Sequence, residues 1–73
     1  MNEKDSVIQQ MVGKNVKRIR LSKKLTQDEL AKKCNLNQNY ICRVELGKRN
    51  MTLNKIEAIA NALDIEPKDL FKK

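Results

Sequence analysis

Gln38, Asn39 and Arg43 carry side chains able to read the edges of nucleic-acid bases, and they lie close together in the chain. The amides of Gln and Asn match adenine N6 and N7, and the guanidinium of Arg matches guanine O6 and N7, each through a pair of hydrogen bonds. At about 100° per residue, Ile41 and Val44 share one face of a helix, which leaves Gln38, Asn39, Cys42 and Arg43 on the opposite face. Such polar side chains are also common on ordinary solvated surfaces. Their setting decides between the two.

That setting is a pair of short helices. Thr26 and Glu29 form an S/T-x-x-E capping box, which predicts a helix from about Gln27 to Cys34. Asn35, Leu36 and Asn37 break it, and Asn37 is a good N-cap for a second helix reaching Leu46 and ended by Gly47. Two helices around so short a turn make a helix-turn-helix over about residues 26–46, whose second helix enters the major groove of duplex DNA. Phosphate contacts would then position the domain. Gln27 and the backbone N–H groups at the start of the first of these helices are suited to one, and Lys48, Arg49 and Asn50 in the basic loop that follows are suited to the next. Tyr40 either lends its hydroxyl to the same task or packs half-buried against an earlier helix. Lys14, Lys17 and Arg18 add diffuse attraction.

The remaining residues must hold these helices in place. The 73 residues make one small domain with a limited core, and two aromatic residues (Tyr40 and Phe71) leave aliphatic helix packing as its basis. No run alternates like a strand, so the fold class is all-α. Ser6 caps a first helix through Val12, Val16 and Ile19 to about Lys24, with Gly13 implying close packing; residues 1–5 are expected to fray. Thr52 caps a fourth helix with Leu53, Ile56, Ile59, Ala60 and Leu63 on one face, and Pro67 opens a short fifth helix holding Leu70 and Phe71.

The net charge is +7, and it is uneven. Residues 1–24 hold seven Lys/Arg against two acids, whereas residues 51–73 hold four of each. A basic first part and a neutral, apolar last third fit one anion-facing side and one side for a partner protein, expected to be a second copy of the chain held through Ile65, Leu70, Phe71 and the end of the fourth helix. Cys34 and Cys42 form neither a disulfide framework nor a zinc set, and there is no His. No cofactor, metal or small-molecule ligand is expected, and no membrane span or signal peptide is evident, which points to a reduced, cytoplasmic chain. An enzyme is disfavoured, because no glycine-rich phosphate loop or nucleophile–base pair is present. Cys42 beside Arg43 is the one candidate nucleophile, and a small neutral filler is the simpler role for it.

The segments V-G-K-N-V-K-R-I-R, L-T-Q-D-E-L-A, Y-I-C-R-V-E-L-G-K-R and I-A-N-A-L-D-I-E-P-K-D-L-F occur in this order over about residues 12–71. Together they resemble the Cro/phage-repressor type of helix-turn-helix protein, the XRE family. The resemblance implies a five-helix, lambda-repressor-like domain and sequence-specific binding to double-stranded DNA, as a small homodimeric transcriptional regulator. By position, Gln27 and Gln38 match glutamines that contact DNA backbone and bases, and Asn39 and Arg43 match the other base-reading positions. Arg20 and Glu45 match a buried ion pair, a pairing that also follows from the cost of burying either charge alone. Asn35 stands in place of a usual turn Gly, Asn37 in place of a Ser or Thr cap, Cys42 in place of a small polar residue and Met51 in place of a Pro. The competing function is an antitoxin or protein-binding adaptor on the same scaffold.

Overall fold

Each α-helix among the described residues starts on a side-chain cap supplied by its sequence. The computed structural model describes residues 6–73, so the expected fraying of residues 1–5 lies outside the described part. Helix α1 spans Val7–Ser22, α2 Gln27–Lys33, α3 Gln38–Glu45 and α4 Leu53–Ala62. Their caps are Ser6, Thr26, Asn37 and Thr52, each accepting a hydrogen bond from the backbone N–H three residues on. At α2 the Glu29 carboxylate also accepts from the Thr26 N–H at 2.8 Å, completing the capping box. Each such cap satisfies one of the donors that a helix N-terminus leaves unpaired, for about 1 kcal/mol.

The helices also end alike. Lys24, Asn35, Gly47 and Asp64 all adopt φ between 58° and 74°, in the left-handed region. In each case the next residue's N–H reaches back to a carbonyl five positions earlier: Leu25 to Arg20, Leu36 to Ala31, Lys48 to Arg43 and Ile65 to Ala60. This is the Schellman stop, which satisfies orphan carbonyls and turns the chain sharply. Three of the four residues placed after the turn (Leu25, Leu36 and Ile65) then pack on the core. Gly47 and Asn35 suit left-handed backbone; Lys24 and Asp64 accept it at some cost because the apolar residue behind them must be buried.

The core consists of Val12, Val16 and Ile19 from α1, Leu30 and Ala31 from α2, Ile41 and Val44 from α3, and Ile59 and Ala60 from α4, closed by Leu63 and Leu70. Each large side chain among them contributes roughly 1.5–3 kcal/mol by leaving water. Helix α1 is the spine, packing on α3 along one side and on the C-terminal segment along another. The approach to α3 is close because Gly13 has no Cβ there: one would stand 2.2 Å from the Val44 carbonyl oxygen.

Three expectations need correction. Residues 6–73 form four α-helices, not five: Pro67–Phe71 forms a 3₁₀ helix. Five residues are too few to develop an α-helical ladder, and the buried Asn15 side chain fixes the chain beyond them. Its Nδ2 donates to the carbonyls of Leu70 and Lys72 at 2.8 and 2.7 Å, and Lys72 is extended. Leu53 lies outside the core at 83% exposure, because it begins α4 at the edge of the apolar stripe, beyond the reach of the other helices. Leu70, assigned with Ile65 and Phe71 to a contact with a second copy, is fully buried within its own domain. Ile65 is half-buried as a helix stop, and Phe71 alone of the three is exposed.

Candidate nucleic-acid interface

The turn between α2 and α3 is set by two asparagines with different tasks. Asn35 takes φ of 58°, and its neighbour Leu36 drops onto the core. Asn37 is extended, and its Oδ1 accepts from the Tyr40 N–H at 2.8 Å. With Ile41 and Val44 buried against the core, α3 presents Gln38, Asn39 and Arg43 to solvent, and Cys42 is half-buried.

The far end of α3 is fixed by a charged network. The Arg20 Nε donates to Glu45 Oε2 at 2.6 Å and its NH2 to Oε1 at 3.0 Å, with the two side chains 8% and 4% exposed. A forked guanidinium–carboxylate pair of this kind is directional as well as attractive. Hydrogen bonding to Glu45 raises the pKa of the Arg20 guanidinium above its ordinary value, against the opposing effect of burial. Arg20 NH1 also donates to the Leu25 carbonyl at 2.7 Å, and the Gln27 side chain donates to Glu45 Oε1 at 3.0 Å. The network therefore joins α1, the loop after it, the first residue of α2 and the last of α3. Gln27 is turned inward to this carboxylate, leaving its other amide atoms and the helix start for any outer contact.

Beyond α3 the loop of residues 46–52 folds back over it. The Arg49 guanidinium carbon sits 4.8 Å from the centre of the Tyr40 ring, a cation–π distance that holds a long side chain in one place. Asn37, Asn39, Tyr40, Arg43 and Arg49 together line a recess of about 130 Å³. Two arginines and hydrogen-bonding groups converge there with no carboxylate among the lining residues, an arrangement suited to an anionic oxygen. The structure thus brings Asn39 and Arg43 together with Tyr40 and Arg49. Gln38, Lys48 and Asn50 are exposed nearby in the chain but do not line the recess, and Gln27 belongs to the Glu45 network. Tyr40 is half-buried and packs against the core as well as facing the recess.

A family model described as "Helix-turn-helix" matches residues 16–70, which includes every α-helix except the start of α1. The chain belongs to the XRE-type helix-turn-helix family. That family consists of DNA-binding transcriptional regulators and is not a class of enzymes. Control protein C.BamHI of Bacillus amyloliquefaciens is 45% identical over 65 residues, covering 88% of this chain and 80% of that protein. The immunity repressor of Bacillus phage phi105 is 44% identical over 55 residues, 75% of this chain but 38% of the repressor. Among solved structures, the restriction-modification controller protein C.AhdI of Aeromonas hydrophila superposes with a TM-score of 0.84 at 40% identity, covering 86% of this chain and 96% of that one.

In this XRE-type domain two residues carry structural tasks that sequence reasoning missed. Asn15 anchors the C-terminal tail, and Asn37 lines the recess while capping α3. The cap was legible; a lone polar residue inside a helical apolar stripe was the available signal for Asn15.

The two thiols differ in surroundings. The Cys34 thiol donates to the Leu30 carbonyl at 3.1 Å, and burial raises its pKa. We expect a thiol reagent to label Cys42 faster than Cys34, and saturating cognate DNA to slow Cys42 selectively. Equal Cys42 rates with and without DNA would place that residue away from the duplex.

Proposed function

We propose that α3 reads base edges through Gln38, Asn39 and Arg43, while Gln27, Tyr40, Lys48, Arg49 and Asn50 hold flanking phosphates. The recess shared by Asn39, Arg43, Tyr40 and Arg49 is the observation that supports this most directly, because it sets base-reading and phosphate-binding groups side by side. The regulator acts as a homodimer through its C-terminal third, with the exposed Phe71 in the contact, on an inverted repeat whose half-site centres lie about 10 bp apart. Its setting is the cytoplasm, and no described helix is long and apolar enough to cross a membrane. Similarity to two controller proteins, C.BamHI and C.AhdI, supports control of a restriction-modification locus over other regulatory settings.

Selection of duplexes from a random pool, followed by salt titrations on the selected sequence, tests the assignment. Arg43→Ala should cost roughly 1–3 kcal/mol and relax the consensus at one base pair. Arg49→Ala should weaken all sequences alike and reduce the slope of log affinity against log salt by about 0.9. An unchanged consensus for Arg43→Ala would remove that residue from the base readers, and a monomer by light scattering on the selected duplex would remove the dimer.

A further inference from the structure

The face of α1 turned away from α3 has its own groove. Gly13 and Arg20 meet α3, whereas Val7, Met11, Lys14 and Lys17's neighbour Arg18 lie roughly 140° round the same helix at about 100° per residue. Here α1 and the extended C-terminal tail enclose a groove of about 580 Å³. Val7 and Met11 give it an apolar surface, and Lys14, Arg18, Lys72 and Lys73 line it with positive charge.

The groove is built by Asn15. Its Nδ2 bonds to the Leu70 and Lys72 carbonyls fix the tail as one wall, and its Oδ1 accepts from Arg18 NH2 at 3.2 Å, holding that guanidinium at the rim. Among the described residues, no acidic side chain lines the groove. Lys72 has Asp69 at 2.9 Å, but Lys14, Arg18 and Lys73 have no ion-pair partner among the described residues. A cationic rim around an apolar strip matches a helix with one apolar stripe flanked by Asp or Glu. Nucleic acid matches it less well: phosphates would suit the cations, but no aromatic ring lines the groove for a base to stack on.

We propose that this groove docks an acidic amphipathic helix of a partner protein, on the side of the domain opposite α3. That the partner is held while DNA is bound rests on the function proposed above; the groove itself does not.

The test uses the full chain and a fluorescein-labelled synthetic helix with leucines on an i, i+3, i+4, i+7 stripe and glutamates beside it. A scrambled peptide of the same composition is the control. Fluorescence anisotropy should show binding at least about tenfold tighter for the striped peptide, a loss of that margin in Lys14→Glu/Arg18→Glu, and no change in Arg43→Ala/Arg49→Ala. Lys14→Glu/Lys73→Glu, which leaves the Asn15–Arg18 bond intact, serves as the second variant, and circular dichroism checks that both pairs fold. Peptide affinity should persist on saturating duplex. Equal affinity for the scrambled peptide, loss of binding in Arg43→Ala/Arg49→Ala, or competition by duplex would overturn the proposal. So would a fall in molar mass of the Lys14→Glu variants by light scattering, which would give the groove to a second copy of the chain. A protein that binds peptide but no duplex would fail the DNA assignment alone.

Discussion

Arg20→Leu should unfold at markedly lower urea than the parent chain, with a loss of roughly 3–5 kcal/mol. The substitution leaves the Glu45 carboxylate 4% exposed with only the Gln27 amide to meet it. It also withdraws the donor from the Leu25 carbonyl. Glu45→Leu strands the guanidinium in the same place and should cost a similar amount. A domain this small has only a few kcal/mol in hand, so either single variant should be largely unfolded at 37 °C. The double replacement removes both buried charges at once and should cost much less than the sum, which a double-mutant cycle reads as strong coupling. The exposed Asp28–Lys32 pair, at 53% and 78% exposure, is the internal control, worth about 0.3–0.5 kcal/mol. Additive effects of that small size at Arg20 and Glu45 would mean that the network does not join α1 to α3 in solution. Where a single variant still folds, cognate duplex should raise its midpoint, since binding to the native state alone adds stability by mass action.

Much of this architecture is legible because its signals are local. Ser6, Thr26, Asn37 and Thr52 sit immediately before helices that need a side-chain acceptor, and a cap acts within three residues of itself. The spacing of Ile41 and Val44 likewise fixes which side of α3 is outward. The stops at Lys24 and Asp64 were not legible, because neither is the glycine or asparagine that usually marks such a stop; each is held there by a leucine or isoleucine that the distant core pulls inward. The same reasoning explains Leu53 and Leu70. Apolar character gives both a reason to be buried, but only tertiary placement decides that α4 begins beyond the core's edge and that the tail's leucine closes it. At the candidate interface, residue types pointed to the outward amides and arginines. The stacking of Arg49 on Tyr40 depends on how a loop folds back, and no pattern in residues 46–52 encodes it.

Gly13→Ala sets a local rule against a tertiary one. In the middle of a helix, alanine is favoured over glycine by about 1 kcal/mol, so an isolated α1 would gain. In the folded domain the new Cβ would lie 2.2 Å from the Val44 carbonyl oxygen and 3.1 Å from that of Glu45. Both are backbone atoms in the last turn of α3, with no rotamer that moves them aside. The helices must separate, and forcing extra volume into a packed contact typically costs about 1–3 kcal/mol, and more where backbone has to shift. The separation would act on the same stretch of α3 that holds Val44 in the core and Glu45 against Arg20. We therefore expect a net loss of at least about 1 kcal/mol in urea unfolding, and weaker DNA binding than stability alone explains, because α3 carries Gln38, Asn39 and Arg43 on a displaced axis. Gly47→Ala is the comparison. Its Cβ would meet the Gln10 Cγ at 3.0 Å and the Gln10 backbone Cα and N at 3.1 and 3.5 Å, looser than the 2.2 Å approach at Gly13, and the left-handed φ of 74° adds about 1 kcal/mol. A Gly13→Ala protein more stable than the parent, with unchanged affinity, would show that α3 can yield there without moving its outward face.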